Sequence, residues 1–424
     1  MKYKEALEYI DDLWKRSGIS MGLDNMNRLL DMFDRPENSY KIIHIAGTNG
    51  KGSVAAFLAS ILSEAGCKIG RYVSPVISDY TEKIQFTDEG NVKCISKKSV
   101  SEYIGEISCL VGKEEDFFPS PFEVETLMAL MAFRDANVDY AIIECGMGGK
   151  MDATNAVSHK EMCIFTSIDY DHMNYLGNTL EAIAADKAEI INCKCPVVSA
   201  KQCEAVKHII DNKAYEFNQT LVYPEKISQC NCSIEGTTFI YRNESYKINL
   251  LGSYQPDNAA LAIEAAGLLL ENRKDFIANG LMNTRWPGRF EILSYNPLVV
   301  FDGAHNPVGV KRFVESVNCL FEHDIYERIA IIGAFADKDI EKMAEYLKGQ
   351  FDEIHTVTAM KPRGEDAAGL SERLRTVIKD EKIYSCDNKK PMEVINELVK
   401  NRESGKKTVY FVFGSLSLYR NLKC

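Results

Sequence analysis

The chain has 424 residues and a formal net charge of -11 at pH 7, with 46% hydrophobic and 26% charged residues. This length exceeds the size at which one hydrophobic core stops growing, so two domains are expected. The negative charge argues against a nucleic-acid partner, whose phosphates need a basic face, although a local anion pocket remains compatible with it. No stretch reaches the roughly 18 uncharged apolar residues of a membrane span, and the charged N-terminus lacks a signal-peptide core. We therefore predict a cytoplasmic monomer with no membrane partner.

Thirteen cysteines are scattered along the chain, many of them in apolar runs, which is typical of reduced thiols. The pairs Cys193/Cys195 and Cys230/Cys232 suggest zinc as an alternative. Their spacing is shorter than that of the usual zinc knuckle, so reduced thiols are favoured.

Short β-rich runs alternate with longer helical runs between Lys41 and Ala200. The β-rich runs are KIIHIAG, DYAIIECG, MCIFTSI and CPVVSA, and the helical runs are SVAAFLASILSEAG, FEVETLMALMAFRDANV and TLEAIAADKAEII. This alternation predicts βαβ units and a mostly parallel sheet covered by helices. Ligands bind such sheets at the carboxyl ends of the strands, which is where Gly47, Gly146 and Asp169 fall.

The pattern changes after residue 220. Residues 220–250 predict a small antiparallel hairpin region, and a helix is expected to open at Pro256-Asp257. A second alternating series, LVVFDGA, RIAIIGAF, EIHTVTA and TVYFVFGS, predicts a smaller α/β domain. We place the boundary near Tyr295, which gives domains of residues 1–295 and 296–424.

The stretch HIAGTNGKGS, His44 to Ser53, is a glycine-rich turn between a predicted strand and a predicted helix. It departs from the standard phosphate-loop pattern twice, because Ile45 replaces the first glycine and Gly52 separates Lys51 from Ser53. Backbone N–H groups and the helix dipole would still converge on an anion here. Lys51 would add a cation for the outer phosphates and Ser53 a hydroxyl for magnesium. A turn with a solvated lysine is the alternative, and the combination favours phosphate binding.

Four further positions carry weaker signals. Glu144 ends an apolar strand, where a carboxylate is costly to bury without a cation; an exposed strand end is the alternative. His172 and Lys187, taken singly, are most simply structural or solvated. In FDGAHNP, Asp302 is suited to a ribose or an amine and the imidazole to a carboxylate, but turn chemistry alone also explains this stretch.

The order of these motifs resembles the Mur ligase superfamily, specifically its folylpolyglutamate synthase/dihydrofolate synthase branch. The phosphate loop of that branch has the sequence GTNGKGS, which is present here at residues 47–53. The resemblance spans nearly the whole chain, through SP at 74–75, TEKI at 81–84, FE at 122–123, ECGMGGKMDATN at 144–155, DH at 171–172, KA at 187–188, PGR at 287–289, DGAHNP at 302–307 and GSLSL at 414–418.

The resemblance implies an α/β fold in which an N-terminal P-loop-type ATPase domain with a mostly parallel sheet is followed by a smaller, Rossmann-like C-terminal glutamate-ligase domain. It also implies an ATP-dependent ligase. ATP would phosphorylate a carboxylate of a reduced folate or of dihydropteroate, and L-glutamate would attack the resulting acyl phosphate.

The resemblance further implies roles for individual residues. Those expected to bind ATP are Gly47, Thr48, Asn49, Gly50, Lys51, Gly52, Ser53, Asn258, Arg289 and Asp302. Those expected around two magnesium ions are Ser53, Ser74, Glu144, His172 and Lys187, the last as a carbamate. Lys51, Glu144, His172 and Lys187 would be catalytic, His305 and Ser415 would bind glutamate, and Glu82, Lys83, Phe122 and Asp152 would bind folate.

Four positions depart from the family pattern. Val76 stands where the family usually has histidine, Lys83 and Lys150 where it has arginine, and Glu189 where it has glycine. Lysine keeps the charge but loses the planar fork that grips a carboxylate in two places. The preference between dihydropteroate and reduced folate, and the number of glutamates added, therefore stay open.

Two other functions are alternatives to a folate ligase. A Mur-type ligase acting on a peptidoglycan precursor would need an additional N-terminal substrate domain, whereas only about 40 residues precede the phosphate loop. A nucleotide-binding regulatory protein without ligase activity would leave DGAHNP and Lys187 without a purpose.

Overall fold

The computed structural model describes residues 1–18, 22–114, 116–270, 274–379, 382–401 and 406–422. The chain divides into two compact units, Met1–Lys226 with Asp257–Thr284, and Ile227–Pro256 with Arg285–Cys424. The hairpin segment thus groups with the C-terminal residues, and the boundary near residue 295 stays a prediction.

The first unit is an α/β structure built on one large sheet. Its strands are β1 (Lys41–Ala46), β2 (Ile69–Tyr72), β3 (Ile84–Asp88), β4 (Asn91–Cys94), β5 (Tyr140–Glu144), β6 (Met162–Phe165), β7 (Val197–Ser199) and β8 (Leu221–Val222). The helices up to residue 283 are α1 (Tyr3–Arg16), α2 (Asp24–Met32), α3 (Lys51–Glu64), α4 (Lys97–Val111), α5 (Pro121–Asp135), α6 (Met173–Leu176), α7 (Leu180–Ala188), α8 (Glu204–Glu216), α9 (Gln255–Leu269) and α10 (Lys274–Asn283).

The large sheet has the strand order β4-β3-β2-β5-β1-β6-β7-β8. The six strands β2-β5-β1-β6-β7-β8 are parallel to their neighbours. At the other side of β2, the pairs β2–β3 and β3–β4 are antiparallel and form one edge of the sheet. Strand β1 lies between β5, where Ile45 pairs with Glu144, and β6, where Ala46 pairs with Phe165. The carboxyl ends of β1, β5 and β6 are therefore side by side, and the predicted parallel sheet is confirmed.

Both faces of this sheet are covered by apolar packing. Helices α1, α2, α4 and α5 contribute to one hydrophobic cluster, and helices α7 and α8 contribute to another. Helix α3 is buried around most of its circumference, because α10 packs on it as well as the sheet. The two helices are so close that a Cβ on Gly280 would lie 2.4 Å from the Ile61 Cα. Helices are thus found in the runs where α3, α5 and α7 were predicted. Helix α3 begins at Lys51, two residues before the run that suggested it.

The second unit contains two sheets. Strands β9 (Ser228–Ser233), β10 (Gly236–Tyr241) and β11 (Glu244–Ile248) form the predicted antiparallel hairpin region. The other sheet has the order β12-β13-β17-β14-β15-β16 and is parallel except for β12. Its strands are β12 (Glu291–Tyr295), β13 (Leu298–Phe301), β14 (Tyr326–Ile332), β15 (Glu353–Thr356), β16 (Lys382–Ser385) and β17 (Lys407–Phe413), with helices α11 (Pro307–Leu320), α12 (Ile340–Leu347), α13 (Ala367–Val377) and α14 (Pro391–Lys400).

In the described ranges, no helix combines the length and the apolar character that a bilayer span requires. The cysteines of these ranges are free thiols. The Sγ atoms of Cys230 and Cys232 lie 3.8 Å apart on β9.

Candidate active site

The phosphate loop, Gly47–Ser53, connects β1 to α3 in a backbone conformation that glycine makes possible. Gly47 has φ of 146° and Gly50, the N-cap residue of α3, has φ of 95°. The Thr48 N–H donates to the Ser167 carbonyl at 2.7 Å, and its hydroxyl donates to the Asp169 carbonyl at 2.9 Å. The segment that follows β6 therefore holds the loop against the carboxyl end of the sheet, as an anion cradle at a helix N-terminus requires.

Gly47 also allows a close approach to β6, and this leads to a first prediction. A Cβ at Gly47 would lie 1.9 Å from the Thr166 Oγ1, whereas a Cβ at Gly66, which also has positive φ, would meet nothing within 4 Å. We expect Gly47→Ala to raise the dissociation constant for ATP at least about tenfold. Alanine is disfavoured by the positive φ, and its Cβ would also clash with Thr166, so the loop must move. Isothermal calorimetry with a non-hydrolysable nucleotide measures this. Gly66→Ala is the matched control and should bind normally; equal binding by both variants would contradict the prediction.

Lys51 is the first residue of α3, and its ammonium lies among oxygen atoms. Its Nζ donates to the carbonyls of Gly47 and Thr48 at 3.2 and 3.4 Å and lies 3.7 Å from Glu144 Oε1. The Glu144 side chain is only 7% exposed, so the carboxylate is a buried partner of this cation and not an exposed strand end. Ser53, in the first turn of the same helix, is also buried. The predicted phosphate-binding cation thus stands beside the predicted metal-binding carboxylate.

Lys187 approaches the same loop from α7. Its Nζ donates to the Gly47 carbonyl at 3.0 Å, and the residue is only 4% exposed. Burial, together with the nearby Lys51 cation, lowers the pKa of Lys187 to about 8. Lys187 is therefore not a solvated surface lysine.

Lys51 and Lys187 line one pocket in the first unit, which we call the phosphate-loop pocket; Glu144 and Ser53 are not among its described lining residues. Its lining comprises Gly47, Thr48, Lys51, Cys145, Gly146, Met147, Gly148, Asp171, His172 and Lys187. The structure thereby brings Lys51, His172 and Lys187 together, as the sequence motifs predict. Sequence reasoning placed Gly146 at this edge of the sheet and quoted Asp171 in the DH pair, but it assigned no role to Asp171, Cys145, Met147 or Gly148. Their position just after β5 and β6 was the available signal.

The 145–148 turn and α7 fit closely together. Gly148 has φ of 69°, and a Cβ there would lie 2.2 Å from the Asp186 Oδ2. The Gly149 N–H donates to that same carboxylate oxygen at 2.8 Å. Burial raises the pKa of Asp186, although these hydrogen bonds oppose the shift. Asp186, which the sequence analysis missed, therefore fixes α7 and with it the position of Lys187.

The donor groups fit a hard divalent cation in part. Carboxylate and hydroxyl oxygens of Glu144 and Ser53 are the ligands that Mg²⁺ prefers. Within the described residues, no three His, Cys, Asp or Glu side chains are grouped to hold a metal ion, so a cation here would also draw on hydroxyl oxygens. His172 has φ of 52°, and its side chain is 42% exposed beside Asp171. Ser74 is half-buried and is not among the described residues that line the pocket.

Two predicted folate-binding residues shape the turn before β3. The Glu82 carboxylate accepts backbone N–H groups of Ile77, Ser78 and Asp79 at 2.8, 3.0 and 3.1 Å. Burial raises the pKa of Glu82, but hydrogen bonds led by the Ser78 hydroxyl outweigh it and lower the pKa overall. Lys83 forms an ion pair with Glu125. Both side chains are thus engaged within the protein, and their roles toward folate stay predictions.

The other two predicted folate-binding residues lie against the 145–148 turn. The Phe122 ring is so close to Gly146 that a Cβ on this glycine would lie 2.5 Å from it. The Asp152 carboxylate is buried and accepts the Met147 N–H at 2.8 Å and the Thr154 N–H at 3.0 Å. Burial raises the pKa of Asp152, and these hydrogen bonds oppose that shift.

The family departures differ in their surroundings. Val76 is half-buried and Lys150 is exposed. The Glu189 carboxylate lies 3.0 Å from the Lys213 Nζ. Of the three nucleotide contacts expected outside the loop, Asn258 lies in this unit and approaches the phosphate loop, because a Cβ on Gly50 would lie 2.6 Å from its Oδ1.

In the second unit, the predicted residues gather at the carboxyl end of β13. Asp302 is buried, and its carboxylate accepts the Tyr254 hydroxyl, the Phe290 N–H and the Ala304 N–H. Burial raises its pKa, while the Arg289 cation lowers it. His305 Nδ1 lies 2.8 Å from the Gly303 carbonyl, and a Cβ on Gly303 would lie 2.5 Å from the Arg289 Nη1. Ser415 follows the neighbouring strand β17, and its Oγ accepts the Ser417 N–H at 3.2 Å.

The Tyr254 hydroxyl provides a stability prediction for this unit. It donates to Asp302 Oδ2 at 2.8 Å, and a hydrogen bond to a buried charge contributes about 1.5–3 kcal/mol. We expect Tyr254→Phe to lower the free energy of unfolding by that amount, measured by urea denaturation. The control Tyr295→Phe removes a hydroxyl from a side chain that is 69% exposed and should change it by less than about 0.5 kcal/mol. Equal effects of the two variants would refute the assignment.

The fold and the pocket together define a class of protein: a nucleotide-dependent enzyme whose phosphate loop lies at the carboxyl ends of the strands of a parallel sheet, with a separate α/β unit. Comparison with known families sharpens this. The family model "Mur ligase middle domain" matches residues 45–266, and "Mur ligase, glutamate ligase domain" matches residues 288–416. The chain therefore belongs to the Mur ligase family and is an ATP-dependent ligase.

Individual relatives identify the branch. The dihydrofolate synthase/folylpolyglutamate synthase of Bacillus subtilis is 31% identical over 412 residues, which cover 92% of this chain and 94% of that protein. The Mycobacterium tuberculosis folylpolyglutamate synthase, solved with ADP and AMPPCP, has a TM-score of 0.88 at 26% identity and covers 99% of this chain and 98% of its own. A bifunctional folylpolyglutamate synthase/dihydrofolate synthase with Mn, AMPPNP and L-glutamate bound has a TM-score of 0.81 at 27% identity, covering 100% and 97%.

The chain is thus a member of the folylpolyglutamate synthase/dihydrofolate synthase branch, and the family resemblance inferred from its motifs is confirmed. The relatives support a glutamate ligase and not a regulatory nucleotide-binding protein.

Proposed function

We propose that this protein joins L-glutamate to a carboxylate of a reduced folate or of dihydropteroate, using ATP. In the first step the γ-phosphorus forms a bond to a carboxylate oxygen of the acceptor while its bond to the β-phosphate oxygen breaks, which gives an acyl phosphate and ADP. In the second step the amine of glutamate attacks the acyl carbon, phosphate leaves, and the amide nitrogen loses a proton. The convergence of Lys51, Glu144 and Lys187 on the phosphate loop carries the proposal.

The residues of the pocket meet the electrostatic demand of the first step. Phosphorylating a carboxylate brings two anions together, so positive groups must be fixed in advance where charge accumulates. Lys51 Nζ, held by two loop carbonyls, and the N–H groups at the start of α3 supply this without reorganisation. Glu144 and Ser53 would hold Mg²⁺, which neutralises phosphate charge when bound. The Mn bound in a related structure supports a divalent ion; a second site at His172, with Ser74 at the first, is part of the proposal.

Lys187 is proposed to be a carbamate. As an ammonium it would share a buried pocket with Lys51, so two like charges would repel each other and any metal ion. Its neutral amine can form an N–C bond with CO₂ and release a proton, which replaces a buried cation with an anion that suits Lys51 and a divalent ion. The pKa of about 8 leaves roughly one amine in ten neutral at pH 7, which favours this reaction.

The acceptor and glutamate assignments rest on resemblance together with position. Glu82, Lys83, Phe122 and Asp152 are proposed to bind the acceptor, and His305 and Ser415 to bind glutamate. Arg289, Asp302 and Asn258 are proposed to contact the nucleotide. A monomeric state and a cytoplasmic location stay predictions.

A product assay tests the acceptor directly. Purified protein is incubated with ATP, Mg²⁺ and L-glutamate, with either dihydropteroate or tetrahydrofolate, and products are separated by mass. We expect a mass increase of one glutamate for at least one acceptor, with phosphate release that requires both acceptor and glutamate. Phosphate release that is independent of both substrates would refute the ligase proposal.

A further inference from the structure

A buried histidine lies at the centre of the large sheet, close to the active site but outside it. His44 is on β1, three residues before Gly47, and it is fully buried between β5 and β6, where it pairs with Ile143 and Cys163. Its Nε2 lies 2.8 Å from the Thr154 Oγ1. A histidine this deeply buried needs hydrogen-bond partners, because an unmatched polar group is costly there.

Counting protons fixes the direction of the hydrogen bonds from this histidine. The Thr154 hydroxyl has a single proton, and its Oγ1 lies 2.5 Å from Asp152 Oδ1. A carboxylate only accepts, so the hydroxyl donates to Asp152 and must in turn accept from His44. The Nε2 of His44 therefore carries the proton.

The surroundings of His44 agree with this assignment. Burial lowers the pKa of His44 well below its usual range, and the Lys160 cation lowers it further, so the imidazole is neutral. Its Nδ1 has no hydrogen-bond partner among the described residues. With the proton on Nε2, this atom is an unprotonated acceptor, and buried acceptors lack partners more often than buried N–H donors do. The Cys145 Sγ, 3.1 Å from Nε2, is the other neighbour.

The chain of hydrogen bonds ends at the wall of the phosphate-loop pocket. Asp152 Oδ1 accepts from Thr154, and its Oδ2 accepts the Met147 N–H at 2.8 Å. Met147 belongs to the 145–148 turn, which lines the pocket together with residues of the phosphate loop. A rotation of the Asp152 carboxylate would therefore release this turn.

We propose that His44 is a positioning residue: it orients the Thr154 hydroxyl toward Asp152 and so fixes the 145–148 turn that forms one wall of the phosphate-loop pocket. Glu144 immediately precedes that turn, so the same hydrogen bonds also limit where this carboxylate can lie. The inference concerns nucleotide binding and rests on the proposed function only in that the pocket receives ATP.

Binding of a non-hydrolysable ATP analogue with Mg²⁺, measured by calorimetry, tests the role of His44 without requiring ligase activity. His44→Leu introduces an apolar side chain of similar size and removes the donor, and we expect the dissociation constant to rise about tenfold, the upper end of the effect of one lost hydrogen bond. In His44→Gln the amide nitrogen can reach the position of Nε2, so binding should return to within about threefold of the unmodified protein.

A double-mutant cycle separates positioning from simple core packing. Thr154→Val should weaken binding like His44→Leu, and combining them should add less than about twofold to Thr154→Val alone, because both variants break one chain. Thr154→Ser, which keeps the hydroxyl, is the control and should bind normally. His44→Leu with a lower melting temperature but unchanged nucleotide binding, or fully additive effects in the double variant, would overturn the proposal. Normal analogue binding in a protein without ligase activity would instead refute only the proposed function.

Discussion

Lys51→Ala is expected to reduce turnover by at least about a thousandfold, because it removes the positive charge that the structure fixes at the phosphate loop. Lys187 is the other described lysine that lines the pocket, but it cannot replace Lys51 because it is proposed to become an anionic carbamate. Phosphate release with saturating acceptor and glutamate measures the effect.

The control for this prediction is Lys41→Ala. Lys41 is the exposed first residue of β1, the strand that leads into the phosphate loop; it pairs with Glu161 at 3.1 Å, and turnover should stay within about twofold. Thermal unfolding must show that Lys51→Ala remains folded at the assay temperature, since its removal leaves Glu144 buried without this cation. A folded Lys51→Ala protein with near-normal turnover would contradict the role assigned to the loop.

Lys187→Ala is expected to abolish turnover as well, and short carboxylates such as acetate or formate are expected to restore part of it. The reason is that alanine leaves room in which an added anion can take the position of the carbamate. Full activity of Lys187→Ala without any added carboxylate would count against the carbamate.

The same lysine predicts a dependence on pH and on bicarbonate. Its pKa is about 8 in the folded protein, against 10.5 when unperturbed. Between these values the unfolded chain binds more protons, so the unmodified lysine destabilises the fold most below pH 8, and the penalty fades as pH rises toward 10.5. Carbamate formation removes the buried cation. Bicarbonate at pH 7–8 should therefore raise the melting temperature of the protein with its native Lys187 but not that of Lys187→Ala. Differential scanning fluorimetry measures this, and an equal rise in both proteins would contradict the prediction.

The sequence predicted the parts of the fold that local patterns encode. Strands buried on both faces are continuous apolar runs, which made β1, β5 and β6 recognisable. The phosphate loop was recognisable because its glycines, lysine and serine lie within seven residues. Strands β3 and β4 were not predicted, because polar residues interrupt them and they form only the sheet edge.

Sequence reasoning missed what depends on contacts between distant segments. Asp186 can fix α7 against the 145–148 turn only because Gly148, which is far from it along the chain, leaves space for its carboxylate. Gly47 must be glycine because β6 places Thr166 against it. His44 looked like part of an apolar run, and its partner Thr154 is 110 residues away. None of these pairings has a local signature, so the register of β1 with its neighbours had to be known first.

If ATP activates the acceptor carboxylate as an acyl phosphate, an oxygen atom must pass from the acceptor to the released phosphate. The acceptor is labelled with heavy oxygen in its carboxylate and incubated with ATP, Mg²⁺ and L-glutamate, and the released phosphate is analysed by mass spectrometry. We expect one labelled oxygen in the phosphate for each amide bond formed. Amide formation that releases only unlabelled phosphate would contradict it.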